Sequence, residues 1–201
     1  MSDLPLTGQR VDLDGDSVAW WPCHIGRDAS IGTGCSIGAL AHIGQRVKMG
    51  PGCKIQGAAY IAADCSLGAR VFVGPAAVVL NDKFPPSGDR AMWQPVSIGA
   101  DAVIGGNATV IPGNDVGPRG VLAAGAVLTK TLPEGEVWGG NPAVFLMTRD
   151  EYDAKRGGHH DRCTNRRCSV PEKVQRLRTR LNQAQTRAWR RGGHSKVDRL
   201  H

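Results

Sequence analysis

The chain has 201 residues, of which 41% are hydrophobic, 21% are charged and only 5% are aromatic, and 27 are glycine. Glycine at about twice its usual frequency and the shortage of aromatic side chains argue against a conventional core of large residues. The sequence contains no run of about 18 apolar residues and its first residues form no apolar leader. We therefore expect a cytoplasmic protein without a membrane span.

The formal net charge of +7 comes from one end of the chain. Residues 157–201 contain 12 of the 25 lysines and arginines but only 3 of the 18 acidic residues, so the remainder is slightly acidic. Only this basic tail has a charge that favours a nucleic-acid partner. We expect no nucleic-acid partner for the rest of the chain.

A six-residue repeat follows a lead-in over residues 1–17. From Ile25 the chain reads I-G-R-D-A-S, I-G-T-G-C-S, I-G-A-L-A-H, and the frame continues to Val79 and resumes at Ile98. A period of six fits neither an amphipathic helix nor an alternating strand. It predicts short strands joined by turns, with three hexads in each triangular coil. Coils stacked about 4.8 Å apart bury their apolar faces only against their neighbours.

The hexads over residues 18–145 resemble those of the hexapeptide-repeat acyltransferases. The resemblance implies an all-β fold, a left-handed parallel β-helix, in which acetyl-CoA is the co-substrate. It also implies a homotrimer with active sites between subunits. Handedness and assembly are implied by the resemblance and do not follow from the repeat itself.

Histidines recur at the last position of two hexads. His24 and His42 are 18 residues apart, and Tyr60 continues the series. Stacked histidines raise the alternative of a zinc protein of the β-helical carbonic anhydrase type. The repeat has no third histidine at a suitable position, so we expect no metal and assign His24 to substrate binding. W-P-C-H-I at 21–25 also resembles the first coil of the family.

Three cysteines occupy the inward fifth position of their hexads. We expect Cys35, Cys53 and Cys65 to be reduced and to act as small apolar core residues.

The repeat is interrupted over residues 80–97, where Pro85, Pro86 and Gly88 predict a long loop. Long loops on a rigid scaffold frequently carry function. The segments C-K-I-Q at 53–56, V-F-V-G-P at 71–75 and N-D-K-F-P at 81–85 resemble the N-acetyltransferases of nucleotide-linked amino sugars. The nearest are enzymes of 3-amino sugars such as UDP-2-acetamido-3-amino-2,3-dideoxy-glucuronate.

This resemblance implies that Asn81 is the catalytic asparagine, and we assign Asp82 a supporting role. Leu80 stands where the family pattern has threonine, and Pro86 where it has arginine. We therefore assign Arg90 to the missing positive charge. Gln56, in the C-K-I-Q segment, is a further candidate for substrate binding.

The last coils and their closing segment resemble the part of the family that lines the coenzyme groove. By position, the backbone at Gly105, Ala123 and Ala124 is expected to face the pantetheine arm. Lys130 is a candidate ligand of a CoA phosphate, and the turn at Asn141 and Pro142 is expected nearby.

The C-terminal segments lie outside the resemblance. We predict a short helix over residues 146–156 and then the basic tail 157–201. Within the tail, the capping sequence S-V-P-E at 169–172 predicts a helix over 171–191. His159, His160, Cys163 and Cys168 form a cysteine–histidine set whose spacing differs from that of standard zinc fingers.

The sequence therefore predicts an acetyl-CoA-dependent N-acetyltransferase of a nucleotide-linked amino sugar, acting in the synthesis of a surface glycan such as lipopolysaccharide. A sugar amine is less basic than lysine and needs no strong base, whereas an alcohol needs one. The loop contains no histidine, which favours the amine. The alternatives are an O-acetyltransferase that depends on His24 or His42, the zinc protein, and a scaffold whose tail binds nucleic acid.

Overall fold

A computed structural model describes residues 8–155, which form a parallel β-helix of about seven coils. The predicted solenoid is therefore confirmed. Among these residues no helix is long and apolar enough to cross a bilayer. The predicted helix 171–191 and the set His159, His160, Cys163 and Cys168 lie outside the described residues.

Most strands contain only two residues, because each hexad gives one short strand and one turn. A 3₁₀ turn covers Arg90–Met92, and helix α1 covers residues 149–155. The strands in chain order are β1 (Gln9–Leu13), β2 (Ser17–Trp21), β3 (His24–Ile25), β4 (Ser30–Ile31), β5 (Ser36–Ile37), β6 (His42–Ile43), β7 (Lys48–Met49), β8 (Lys54–Ile55), β9 (Tyr60–Ile61), β10 (Ser66–Leu67), β11 (Phe72–Val73), β12 (Val78–Val79), β13 (Ser97–Ile98), β14 (Val103–Ile104), β15 (Thr109–Val110), β16 (Val121–Leu122), β17 (Val127–Leu128), β18 (Glu136–Gly140) and β19 (Ala143–Thr148).

The strands form three sheets, one on each side of the solenoid. Sheet A has the order β1-β2-β5-β8-β11-β14-β16-β18-β19, sheet B the order β17-β15-β12-β9-β6-β3, and sheet C the order β13-β10-β7-β4. Ile43 pairs in parallel with Ile25 and Ile61, 18 residues before and after it. Three hexads therefore make one coil, as the repeat predicts.

The core is built from the first and fifth positions of the hexads. The aliphatic residues Ile37, Ile43 and Ile61 have no exposed surface. Cys53 and Cys65 are buried beside them and are free thiols, which confirms their predicted packing role. Burial raises the pKa of each of these two thiols to about 11, so both are protonated at neutral pH.

Glycine at the second position of a hexad allows neighbouring coils to stack. A methyl group added at Gly74 would lie 2.5 Å from the backbone nitrogen of Gly106 in the next coil. Real side chains essentially never approach backbone so closely, and hydrogen bonds between adjacent coils hold the backbone there in place. The glycine is therefore required by the coil spacing, not by the conformation of its own turn.

Additional strands extend sheet A at both ends of the solenoid. Within the lead-in, β1 pairs antiparallel with β2, the first strand of sheet A to join the solenoid. The C-terminal helix begins at residue 149 and not at 146, because β19 pairs antiparallel with β18 as far as Thr148.

Candidate active site

The interruption of the repeat is a thirteen-residue insertion. Paired residues in adjacent coils are 18 apart before it, as in Ser66 and Lys48, but Ser66 pairs with Ser97 across it, 31 apart. The backbone nitrogen of Leu80 still donates to Val110 of the next coil. The inserted loop is therefore 81–93, and residues 80 and 94–97 of the predicted loop belong to the solenoid.

Asn81 takes over a hydrogen bond that the insertion would otherwise break. At the corner after sheet B, a turn N–H donates to the coil before it, as Asp64 does to the carbonyl of Gln45 at 2.9 Å. At the carbonyl of Ala63, the Asn81 side chain supplies the donor instead, with Nδ2 at 3.0 Å. The backbone nitrogen of Gln94 donates to the Asn81 carbonyl at 2.7 Å, which joins the first residue of the loop to the residue that follows its last. Since Nδ2 is engaged, Oδ1 is the side-chain atom of Asn81 left to accept a hydrogen bond.

An ion-pair cluster fastens the loop to this corner. Both oxygens of Asp64 accept from Arg46 at 2.7 and 3.2 Å, and both accept from Arg90 of the loop at 2.8 and 3.1 Å. The Asp64 side chain is 19% exposed. Hydrogen bonds from the two guanidinium groups, Arg46 first, lower the pKa of Asp64. Arg90, predicted to bind substrate, is thus engaged in holding the loop.

Asp82 also organises the loop. Its carboxylate accepts from the backbone nitrogens of Phe84 at 3.2 Å and Ser87 at 3.0 Å. These hydrogen bonds, that of Ser87 foremost, lower its pKa. Asp82 is therefore ionised at neutral pH and forms a turn inside the insertion.

A cavity of about 350 Å³ lies on the outer side of sheet B, at the corner from which the loop leaves. It contains two of the predicted site residues, His24 and Asn81, and Asp82, Arg90 and Gln56 are not among its lining residues. The roles assigned to all five stay predictions. The lining residues are His24, His42, Gly44, Gln45, Arg46, Tyr60, Ala63, Asn81 and Trp93.

Three aromatic rings form one wall of the cavity, and we call them the ring column. The rings of His24 and His42 stack with centroids 4.4 Å apart and an interplanar angle of 11°. Tyr60 stacks on the other face of His42 at 4.6 Å and 13°. Burial, and secondarily the charge of His24, lower the pKa of His42, so its neutral form predominates at neutral pH.

Sequence reasoning missed several cavity residues. Tyr60 continued a visible series but was given no role. Trp93 is the last residue of the insertion, and exact knowledge of the loop boundary would have identified it. Gln45 and Arg46 occupy ordinary turn positions of a hexad, so nothing in the repeat distinguished them. Among residues 8–155, no group of three histidine, cysteine, aspartate or glutamate residues is arranged to hold a metal ion.

The residues assigned to acetyl-CoA lie mainly at another corner, the one after sheet A. The N–H groups of Gly105 and Ala123 donate to Leu122 and Trp138 of adjacent coils, and their carbonyls accept from nearby turns. Exposed Ala124 has no such bond within residues 8–155, so its N–H remains able to bind a ligand.

The remaining donor-site candidates are exposed. Lys130 follows β17 at the corner after sheet B, and Asn141 and Pro142 form the turn between β18 and β19. Gln56, assigned to substrate, instead shares the corner after sheet A with Gly105 and Ala123. No role in the donor set has been tested.

Comparison with known proteins finds similarity to acetyltransferases. Residues 95–130 match the family model described as the hexapeptide repeat of succinyl-transferase. A curated relative, 2,3,4,5-tetrahydropyridine-2,6-dicarboxylate N-acetyltransferase of Staphylococcus aureus, is 38% identical over 84 residues, which are 42% of this chain and 33% of that enzyme. The chain spans less than half of the length of the curated relatives it matches.

Two solved structures are similar over 65% of this chain and 57% of their own length. The acetyltransferase domain of PglB from Neisseria gonorrhoeae is 27% identical with a TM-score of 0.56, and it has also been solved with acetyl coenzyme A. PerB from Caulobacter crescentus, solved with CoA and GDP-perosamine, is 27% identical with a TM-score of 0.57. These findings confirm the resemblance to hexapeptide-repeat acyltransferases.

Proposed function

We propose that this hexapeptide-repeat chain is an acetyl-CoA-dependent N-acetyltransferase that acetylates the amine of a nucleotide-linked amino sugar. The observation that carries the proposal is Asn81, the first residue of the insertion, which lines a sugar-sized cavity with Nδ2 tied to the carbonyl of Ala63. PerB, a similar protein solved with CoA and GDP-perosamine, supports both substrates.

The reaction needs little beyond placement of the two substrates. Oδ1 of Asn81 accepts one N–H of the neutral sugar amine and directs the nitrogen lone pair at the thioester carbonyl. The C–N bond forms, the C–S bond breaks, the nitrogen loses one proton and the CoA sulfur leaves as the thiol. Alignment of the amine accounts for most of the expected rate enhancement, because the amine is itself a good nucleophile.

The sugar is a 3-amino sugar in this proposal, and the product serves surface-glycan synthesis in the cytoplasm. The support is the segment N-D-K-F-P at 81–85, which resembles the 3-amino-sugar enzymes. In this chain the carboxylate of Asp82 is engaged within the loop, so it shapes the segment that presents Asn81. Asp82 therefore acts as a positioning residue.

The active unit in this proposal is a homotrimer. Asn81 lies at the corner after sheet B, whereas Gly105 and Ala124 lie at the corner after sheet A. In one chain these corners are different edges of a three-sided solenoid, but a cyclic assembly brings unlike edges of neighbouring chains together. The acetyl donor held by one chain then meets the amine held by the next.

The direct test is a thiol-release assay with acetyl-CoA and a panel of UDP-, dTDP- and GDP-linked amino sugars, with the matching hydroxy sugars as controls. We expect CoA release only with amino sugars and a product that resists hydroxylamine, as amides do. Release with hydroxy sugars alone would overturn the proposal.

The role of Asn81 is tested separately by Asn81→Ala. Since Asn81 aligns the nucleophile, kcat should fall about 100-fold, within the range by which misplacement slows such reactions. The affinity for CoA should change less than twofold. Asp89→Asn, which alters the cap of the 3₁₀ turn in the same loop, is the matched control for general loop disturbance.

One observation favours a second candidate, an O-acetyltransferase. His24 and His42 line the same cavity as Asn81, and a neutral imidazole is the usual base for an alcohol. That activity predicts CoA release with a hydroxy sugar, abolished in His42→Gln, and an ester product cleaved by hydroxylamine.

A further inference from the structure

The two histidines of the ring column lie in the coils of the cavity that are farther from Asn81. His42 pairs with Tyr60, and Tyr60 pairs with Val78, in the coil that ends at Asn81. The Asn81 amide reaches back to the carbonyl of Ala63, in the coil of Tyr60, so it lies one step from His42 and two steps from His24. At 4.8 Å per step these separations are about 5 and 10 Å along the axis, which a hexose and its glycosidic oxygen can span.

The lining of the cavity favours an anion at this end. None of its lining residues is acidic, and Asp64, which pairs with the lining residue Arg46, has both oxygens engaged by Arg46 and Arg90. Gln45 is also present, and its Oε1 accepts from Arg46 at 3.0 Å, which leaves its amide nitrogen to donate outward. The two imidazoles and this amide are hydrogen-bond donors, and no acidic residue lines the cavity with them.

Because the two imidazole rings are stacked, the charge on each ring affects the other ring and any anion bound beside them. Two positive charges on rings 4.4 Å apart repel each other, and an anion bound at the ring edges offsets that repulsion. Other charged or titratable groups beside the pair are Tyr60 on β9 and Arg46 at the corner, and Arg46 forms an ion pair with Asp64. The hydrogen bond with Asp64, and secondarily the charge of Asp28, raise the pKa of Arg46, so Asp28 also lies near this corner.

We propose that the edges of His24 and His42, together with Gln45, bind the pyrophosphate of the nucleotide-linked acceptor while Asn81 holds its amine one to two coils away. This inference rests on the proposed function and assigns a specificity-determining role to the ring column. CoA carries the same phosphate chemistry, so the test must separate the two sources.

The probes are a UDP-, a dTDP- and a GDP-linked hexose without a free amine, together with CoA. Their pyrophosphate diesters keep the same charge between pH 6 and 8, so any pH dependence of affinity belongs to the protein. Calorimetric titration should show at least one nucleotide hexose binding at least threefold more tightly at pH 6 than at pH 8. The affinity for CoA should not follow this dependence.

The variants are His24→Gln and His24→Gln with His42→Gln, checked for folding by thermal denaturation. Loss of the charge-assisted hydrogen bonds should weaken the nucleotide hexose about tenfold at pH 6 and remove its pH dependence. Lys54→Gln is the matched control, because Lys54 is a cation at the same hexad position on sheet A. It should leave the affinity unchanged.

The outcomes separate this inference from the proposed function. If amino sugars still release CoA from acetyl-CoA but nucleotide-hexose affinity is unchanged in His24→Gln and independent of pH in the wild-type chain, the phosphate subsite is wrong and the activity stands. If the His24→Gln variant loses affinity for CoA and not for the nucleotide hexose, the ring column binds the acetyl donor and the inference is also overturned. If no nucleotide sugar binds or reacts, the proposed function itself fails.

Discussion

Asp64→Asn should release the inserted loop and lower the stability of the chain. The carboxylate of Asp64 accepts four hydrogen bonds from Arg46 and Arg90, at 2.7 to 3.2 Å, and is 19% exposed. Hydrogen bonds to charged groups contribute about 1.5–3 kcal/mol when shielded, and exposed ion pairs contribute about 0.2–1 kcal/mol. For this partly exposed group we expect a loss of about 1.5–2 kcal/mol, or a Tm lower by about 3–8 °C.

Asp101→Asn is the control that isolates the loop. Asp101 accepts from Arg70 at 2.7 and 2.6 Å, across a 31-residue separation, but this ion pair is more exposed and does not involve the loop. The Tm of Asp101→Asn should fall by no more than about 4 °C.

Trypsin provides a direct readout of loop release, because Lys83 and Arg90 are cleavage sites within residues 81–93. Mass spectrometry should detect faster cleavage there in Asp64→Asn and no change in Asp101→Asn. Equal cleavage rates in the two variants would refute the argument that Asp64 holds the loop.

The pH dependence of the same variant has a defined sign. The pKa of Asp64 is lowered in the folded chain, so ionised Asp64 stabilises the fold at every pH above its unfolded pKa of about 3.9. This contribution is lost as the pH falls through the folded pKa. The stability difference between wild type and Asp64→Asn should therefore be constant from pH 5 to 8 and shrink below about pH 4, as measured by urea denaturation.

Further predictions concern the solenoid itself. Gly74→Ala should lower the free energy of unfolding by about 1–3 kcal/mol, because its methyl group meets the backbone of the next coil. Gly106→Ala, whose methyl group would be 3.4 Å from Pro75, should change this free energy little. Urea denaturation of the two variants measures the difference. Cys53, with its pKa raised to about 11, should react with iodoacetamide at pH 8 only after unfolding, and peptide mapping that finds native labelling of Cys53 would contradict its burial.

The architecture was predictable from the sequence because the repeat specifies it redundantly. Each inward residue, such as Ile43, has an equivalent residue 18 positions before it and another 18 positions after it. The six-residue period can therefore still be recognised when one hexad departs from the pattern. The ends were not predictable in this way. β1 and β19 pair antiparallel with the terminal strands β2 and β18, and no hexad pattern signals a strand of that kind.

The candidate site was only partly predictable because its contacts cross coils. The sequence identified Asn81 through the interruption and His24 through its spacing from His42. It assigned Arg90 to a substrate because an exposed arginine in a loop carries no sign of its partner, Asp64, which lies 26 residues earlier. Similarly, the segment C-K-I-Q at 53–56 suggested a substrate role for Gln56. However, Gln56 follows β8 of sheet A and so lies at a different corner from Asn81, which follows sheet B.

The insertion explains how a structural repeat acquires a chemical site at one corner. Removing a turn N–H from the coil leaves the carbonyl of Ala63 without its regular donor, and Asn81 meets that need with its side chain. This hydrogen bond fixes the Asn81 side chain and leaves its Oδ1 available to a ligand, in a cavity that His42 and Trp93 also line. Replacing Asn81 with Asp keeps the size but removes the donor, so Asn81→Asp should cost both stability and turnover, whereas a role confined to catalysis predicts an unchanged Tm. A lowered Tm together with lost turnover would show that one amide serves the fold and the reaction at once.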